Sequence, residues 1–264
     1  MTMDRWNDIT LISTWYGQED HLYNQCLFYS AMVEKFKYKP RVIFINDGHE
    51  DGRAFFRETI KQHKSRFDVM GIDVMTDMGF NSHACRNIGV KHAKTDWVFL
   101  MDVDCFEGQG LYHYMRFVKK LDTKMFYVPK VDMEAPEEMS GYELLCKKGI
   151  VKYKTHPNTW LMTREAYWST GGYDLEFQGV RHGDAEFFLG IGRPGWKEWD
   201  YDLVSDDDDK RMTVKIPRRD PFYVRQERGK QKQASPIVNF IRVRNRDPYH
   251  KYRKRLWNTP WEYV

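Results

Sequence analysis

The chain has 264 residues, a formal net charge of +4 and 41% hydrophobic residues, so it can fold around a sizeable core and is not composed like a disordered protein. Its four cysteines have neither the close pairing of a zinc site nor the density of a disulfide scaffold, which indicates reduced thiols. The first residues are polar and no run is long and apolar enough to cross a membrane, so we expect a soluble, cytoplasmic protein.

Strand and helix patterns alternate through the first hundred residues. Apolar runs predict strands at 9–14, 41–46 and 67–74 and from residue 97 onward. Helical spacing runs from Leu22 to Phe36 and ends before Pro40, a shorter helix is predicted near 53–63, and a third is capped by Asn81 or Ser82 and continues to about residue 92. This βαβαβαβ order predicts an α/β fold with a mostly parallel, doubly wound sheet.

The alternation weakens after residue 104. The patterns predict a helix near 110–121, a strand at 125–131, and a short strand with a helical turn at 159–170 that Gly171-Gly172 interrupts. A further helix follows, and its first turn carries Asp184 and Glu186. From residue 194 the chain is polar and interrupted by prolines, so we divide it into a catalytic domain at 1–192 and a C-terminal segment at 193–264.

The run WVFLMDVDC, residues 97–105, places two aspartates at the end of a strand that reads as fully buried. Open α/β sheets bind their ligands at the carboxyl ends of the strands. Strand alternation would point Asp102 and Asp104 in the same direction, and two adjacent carboxylates repel each other unless a cation neutralises them. A hard divalent cation that also bridges substrate phosphates is the natural candidate.

The order of these segments, with IFINDG, NSHACRNIGVKHAKTDWVFLMDVD, GGYDLEF and GDAEFF, resembles the GT-A fold glycosyltransferases, especially family 2, over roughly residues 8–192. The resemblance implies that Asp47 contacts the nucleotide base and that Arg86 and Asn87 lie near the nucleotide. It also implies that Asp102 and Asp104, as a DxD motif, bind Mn²⁺ or Mg²⁺ and the diphosphate of a nucleotide-sugar, with a UDP-sugar as the expected donor.

The resemblance also implies a catalytic base, for which Asp184 is the matching position and Glu186 a reserve. A base on the face opposite the leaving group implies inversion. The sequence departs from the family because Gly183-Asp184 stands where an acidic pair is usual. For the family's variable third metal ligand, His182 is a weak match. Trp160 and Trp168 are candidates for stacking on a sugar or base, or alternatively for the core.

The acceptor is inferred from the C-terminal charge. Residues 210–255 hold sixteen Lys and Arg against three acids, a balance of +13, so the remaining residues sum to −9. Basic and aromatic residues together suit nucleic acid, and Arg242, Arg244 and Arg246 alternate as on one face of a strand. The expected acceptor is a hydroxymethylated pyrimidine in DNA, as in phage-type enzymes.

Besides a protein or small molecule as the acceptor, three alternatives stay open at this point. The first is a glycan or lipid-linked saccharide as the acceptor, with the basic segment in contact with an anionic membrane surface. The second is a sugar nucleotidyltransferase, although STWYGQED after the first strand is not the Gly-rich basic loop that such enzymes normally have. The third is a non-catalytic nucleotide-binding module.

Overall fold

The computed structural model describes residues 8–36, 39–77, 79–107, 123, 126, 130–132, 153–155, 159–173, 187, 223–225 and 261–264. The strands are Ile9–Trp15 (β1), Arg41–Asn46 (β2), Asp68–Val74 (β3), Trp97–Asp102 (β4), Cys105–Glu107 (β5), Lys130–Asp132 (β6), Tyr153–Thr155 (β7), Trp160–Thr163 (β8), Tyr223–Arg225 (β9) and Trp261–Tyr263 (β10). The helices are Glu19–Phe36 (α1), Arg53–His63 (α2), Ser82–His92 (α3) and Arg164–Ser169 (α4). Among the described helices, none is long and apolar enough to span a membrane.

The main sheet has six strands in the order β10-β3-β2-β1-β4-β8. Strands β3, β2, β1 and β4 are parallel, whereas β8 and β10 pair antiparallel at the two edges. The predicted mostly parallel α/β sheet is therefore confirmed. Strands β5, β9, β6 and β7 form a second sheet in that order.

Helices cover both faces of the main sheet because successive side chains of each buried strand point to opposite sides. On one face the ring of Trp15 stacks on Phe56 of α2 at 5.5 Å, and Tyr29 of α1 packs against Phe44. On the other face Ile12 belongs to the core cluster that also contains residues of α3. The apolar strands thus read as continuous hydrophobic runs because they are buried on two sides.

Of the two residues predicted to cap the third helix, Asn81 and not Ser82 is the cap. Its side chain accepts a hydrogen bond from the backbone N–H of Ala84 at 3.4 Å and so caps α3. At the other end of the predicted series, Gly171 and Gly172 both have positive φ, 93° and 73°, and they end the segment that contains β8 and α4. This break agrees with the sequence prediction.

The last residues of the chain contribute an unpredicted edge strand. Strand β10 pairs with β3, and the buried carboxylate of Asp73 on β3 accepts hydrogen bonds from Arg53 and Arg57 of α2. Arg57 also forms an ion pair with Glu262. These contacts connect the C-terminal strand to the sheet of the predicted catalytic domain, and the division at residue 192 stays a prediction.

Candidate active site

Asp102 and Asp104 of the DVD sequence lie at the carboxyl end of β4. The strand order changes direction here, because β2 and β3 lie on one side of β1 and β4 lies on the other. Strand β1 pairs with β2 on one side and β4 on the other, with Thr14 opposite Asp102. Such a switch point opens a crevice at the carboxyl ends of the strands. Asp102 is 9% exposed and Asp104 is 2% exposed, so both carboxyl groups are largely removed from water.

Asp104 lies in a turn and not in a strand, contrary to the sequence prediction. Strand β4 ends at Asp102, and Val103 and Asp104 lie in the turn that leads to β5. The alternation of a strand therefore does not set the direction of Asp104, because alternation holds only while the backbone stays extended. The turn, and not the strand, positions the second carboxylate.

Arg86 supplies a positive charge directly to Asp102. Its Nη2 donates to Asp102 Oδ1 at 2.7 Å, and the guanidinium is fully buried. Removing one partner of a buried ion pair typically costs about 3–5 kcal/mol because the other charge stays behind unpaired. The backbone carbonyl of Asp102 also accepts from Gln25 Nε2 on α1 at 3.3 Å, so Asp102 is fixed from two sides.

Tyr173 is the second partner of Arg86, and the sequence reasoning did not assign it a role. Nη1 of Arg86 donates to the Tyr173 hydroxyl at 2.9 Å, and the guanidinium carbon lies 5.3 Å from the centre of the Tyr173 ring. The ring stacks with His83 at 4.9 Å and with Phe187 at 4.3 Å. This stacking limits the movement of the hydroxyl that holds Arg86.

Asn87 fixes the backbone around Tyr173. Its Nδ2 donates to the Tyr173 carbonyl at 2.8 Å, and its Oδ1 accepts from the Tyr173 N–H at 2.9 Å and from the Tyr167 hydroxyl. A Cβ added to Gly172 would lie 2.7 Å from Asn87 Oδ1, so this close approach requires glycine. The predicted pair Arg86-Asn87 thus acts as one unit: Arg86 orients Asp102, and Asn87 orients the residue that supports Arg86.

Asp47, predicted to contact a nucleotide base, is fully buried at the carboxyl end of β2. One carboxyl oxygen accepts from the Asn81 N–H and the other from Cys85 Sγ at 3.1 Å, so Asp47 links the end of β2 to the start of α3. Burial raises the pKa of Asp47 well above its usual value, although both hydrogen bonds act in the opposite direction. Its role as a base contact stays a prediction.

Three residues that follow strand ends form a wall beside Asp47, and the sequence reasoning missed them. Tyr16 follows β1, His49 follows β2 and Asp77 follows β3. The Tyr16 hydroxyl donates to Asp77 Oδ1 at 3.0 Å, and the Tyr16 ring meets His49 edge-on at 5.0 Å. Burial, followed by the hydrogen bond to Asp77, raises the pKa of Tyr16 to about 12. Their positions directly after strand carboxyl ends were the signal that could have identified them.

The other predicted site residues fall into two groups. Trp160 is 1% exposed and packs edge-on against Phe126 and Phe187, so its placement favours the core over the acceptor contact expected for it. Six predicted residues lie outside the described part of the chain: His182, Asp184, Glu186, Arg242, Arg244 and Arg246. Within the described residues no cluster of three or more His, Cys, Asp or Glu could hold a metal ion, so any ion would need further ligands.

Comparison with known proteins gives a family match over part of the chain and a fold. Residues 12–127 match the family model described as glycosyltransferase like family 2. The structure of GalNAc-T7 with UDP, GalNAc and Mn²⁺ is similar at 16% identity and a TM-score of 0.54, over 89% of this chain and 47% of that one. The structure of S. aureus TarS 1–349 is similar at 14% identity and a TM-score of 0.50, over 69% of this chain and 54% of that one.

This chain spans about half the length of those two solved chains. At such low identity the similarity shows the fold alone, and that fold is GT-A. No curated protein matches the sequence.

Proposed function

We propose that this chain, whose residues 12–127 are those of a family 2-like glycosyltransferase, transfers a sugar from a nucleotide-sugar to an acceptor hydroxyl with the aid of a divalent metal ion. The observation that carries the proposal is the buried group of Asp102, Asp104 and Arg86 at the carboxyl end of β4. This group combines two carboxylates with one guanidinium at the switch point of the sheet, which is where this fold class places nucleotide ligands.

The residues present fit a hard divalent cation. Two buried carboxylates with a single guanidinium leave excess negative charge, and carboxylate oxygens are the ligands that Mg²⁺ and Mn²⁺ prefer. Such ions commonly use one or two carboxylates and complete their coordination with substrate phosphates and water. Asp104 would therefore hold the ion, assisted by Asp102, whose Oδ1 is already engaged by Arg86. The bound ion supplies Lewis acidity that stabilises the charge of a departing diphosphate.

The protein's own groups perform the remaining tasks. Arg86 keeps Asp102 oriented and adds positive potential to a site that is shielded from water, where a fixed charge has a larger effect. The space next to this site, at the ends of β1, β2 and β3, is lined by Tyr16, His49 and Asp77. The base and ribose of the donor would bind there. UDP is the proposed nucleotide, supported by the fold neighbour that was solved with UDP and Mn²⁺.

On the acceptor side we propose Asp184 as the base that removes the proton of the attacking hydroxyl, with Glu186 in reserve and inversion at the anomeric carbon. The location of Phe187 supports this assignment, because its ring stacks on Tyr173, the partner of Arg86. Three peptide units keep Asp184 within about 11 Å of Phe187, measured between Cα atoms. His182 is kept as a proposed additional metal ligand.

The proposed acceptor is a hydroxymethylated pyrimidine in DNA, and the basic charge of residues 210–255 supports it. A glycan or lipid-linked saccharide is the second candidate, and a polar groove lined by Arg164, Glu165 and Trp168 at the amino end of β4 favours it. Mass spectrometry of modified DNA and of a glycan library, each incubated with a panel of sugar nucleotides and Mn²⁺, separates the two. Transfer to neither acceptor class with any donor contradicts the proposed activity.

Two variants test the donor and acceptor halves independently. Asp104→Ala should abolish both transfer and Mn²⁺-dependent UDP binding in calorimetry, whereas Asp68→Ala, at the exposed amino end of β3, should change neither. Asp184→Asn should retain UDP binding and lose most turnover, because it removes the base and keeps the shape. Undiminished Mn²⁺-dependent UDP binding by Asp104→Ala contradicts the metal assignment.

A triple charge reversal tests the DNA acceptor. If Arg242, Arg244 and Arg246 neutralise phosphates, wild-type binding to DNA should weaken with a log–log salt slope of about −0.9 per contact, and the reversal should reduce that slope. Hydrolysis of the sugar nucleotide should stay unchanged. Binding to anionic vesicles in place of DNA, lost in the same variant, would replace the DNA proposal with the lipid-linked one.

A further inference from the structure

A second concave site lies at the opposite end of the main sheet from Asp102 and Asp104. It is a groove of about 950 Å³ at the amino end of β4, where β8 ends and α4 begins. Five residue steps along β4 separate Trp97 in the groove from Asp102, a distance of about 17 Å at 3.3 Å per residue. The residues that define its chemistry are Asp96, Trp97, Thr163, Arg164, Glu165 and Trp168.

Arg164 is the feature that calls for a ligand. Its Nε is buried, and within the described part of the chain it has no hydrogen-bond partner. Its backbone N–H donates to the Asp96 carbonyl at 2.8 Å, which fixes the base of the side chain at the groove wall. Buried donors in native proteins are almost always paired, so an unpaired one that lines a groove indicates a missing acceptor.

The rest of the wall offers complementary groups. Asp96 and Glu165 are exposed carboxylates that can only accept hydrogen bonds when ionised. Trp168 is half-buried, and its ring is braced edge-on against Tyr167 at 4.9 Å with an interplanar angle of 86°. A braced aromatic ring between acceptors and a donor presents one apolar face and several polar groups within one site.

This combination excludes several ligand classes. An anion would be repelled by Asp96 and Glu165, whereas a metal cation or an apolar ligand would leave Arg164 Nε without an acceptor. A neutral saccharide meets all three conditions, because its hydroxyls donate to carboxylates, its oxygens accept from the guanidinium, and its C–H face packs on an aromatic ring. The volume lies at the upper end of the range for small-molecule sites, so more than one sugar ring fits.

We infer that this groove is a second saccharide-binding site, separate from the donor crevice, that holds neutral sugar units through Arg164, Glu165, Asp96 and Trp168. The inference does not rest on the proposed donor chemistry. It would allow the protein to hold a glycan chain at a distance from the site of transfer.

The test uses the full chain and an array of neutral oligosaccharides that includes maltotriose, mannotriose and N-acetylchitotriose, with sulfated oligosaccharides and a DNA oligonucleotide as charged probes. The best neutral binder is then titrated calorimetrically into the wild type, Arg164→Met and Trp168→Ala. We expect each substitution to lower the affinity at least tenfold. Arg66→Met, which alters an exposed arginine between α2 and β3, should leave it unchanged.

Two further measurements keep the inference testable if a variant unfolds. Hydrogen exchange of the wild type with saccharide bound should show added protection at residues 96–97 and 163–171, and saturating UDP with Mn²⁺ should not displace the saccharide. Failure of every neutral probe to bind, displacement by UDP, preference for the charged probes, or equal affinity of both folded variants overturns the inference. If the wild type binds the saccharide but transfers no sugar with any donor, that result contradicts the proposed function and leaves this inference intact.

Discussion

Replacing Tyr173 with Phe isolates the support that Tyr173 gives to Arg86. The substitution removes one oxygen and keeps the ring that stacks with His83 and with Phe187. What is lost is the 2.9 Å hydrogen bond from Arg86 Nη1, which joins a buried, charged donor to a neutral acceptor. Arg86 keeps its contact with Asp102, so the ion pair itself stays formed.

The size of the effect follows from that geometry. Hydrogen bonds to charged groups contribute about 1.5–3 kcal/mol, and a buried guanidinium cannot replace the lost partner with bulk water. For a chain of this length that corresponds to a melting temperature lower by about 3–12 °C. We also expect weaker Mn²⁺-dependent UDP binding, by about tenfold if roughly 1.4 kcal/mol of the loss falls on the orientation of Asp102.

Thermal unfolding and calorimetry with UDP and Mn²⁺ measure both quantities. Tyr29→Phe is the matched control, because the Tyr29 hydroxyl is also buried but donates to the sulfur of Met101 at 3.6 Å, a weak acceptor. It should lower the melting temperature less and leave UDP binding unchanged. If Tyr173→Phe matched the wild type in both assays, Tyr173 would not position Arg86 and the reasoning would be refuted.

Three further predictions concern other parts of the sheet edge. Gly48→Ala should destabilise the fold by about 2 kcal/mol or more, measured by chemical unfolding, because φ of Gly48 is +74° and a Cβ there would lie 2.2 Å from the Thr76 carbonyl oxygen. A variant as stable as the wild type would contradict this. Burial raises the pKa of Asp47, so the folded state binds the proton more tightly than the unfolded state does. The stability of the wild type relative to Asp47→Asn should therefore rise as the pH falls from the raised pKa towards about 4. A difference in melting temperature between the two proteins that does not depend on pH would contradict this. Burial and Lys91 lower the pKa of His92, whose Nδ1 lies 2.9 Å from the Tyr263 hydroxyl of β10. The folded state therefore disfavours protonated His92, and the docking of β10 should be complete above about pH 6.5 and weaken below it. Amide exchange at residues 262–264, corrected for intrinsic rates, that does not accelerate below this pH would contradict the prediction.

The sequence alone determined the order and type of the elements through residue 102. The strand at 41–46 and the helix near 53–63 were predicted with their observed bounds, and the start of the helix that ends near residue 92 was predicted to within one residue, because local apolar periodicity and end signals specify them. The same patterns placed Asp47, Asp102 and Asp104 at strand carboxyl ends. The GT-A fold that the motifs indicated is confirmed, and residues 12–127 match a glycosyltransferase family 2-like model.

Only the tertiary structure decided how these residues contact one another. Arg86 meets Tyr173 across 87 positions of sequence, and His92 meets Tyr263 across 171. No local period encodes such pairings, so sequence reasoning left Trp160 between two roles and missed both Tyr173 and the edge strand β10. Periodicity reports which side of an element faces the core, whereas burial and partner choice depend on which distant segments fill the remaining space.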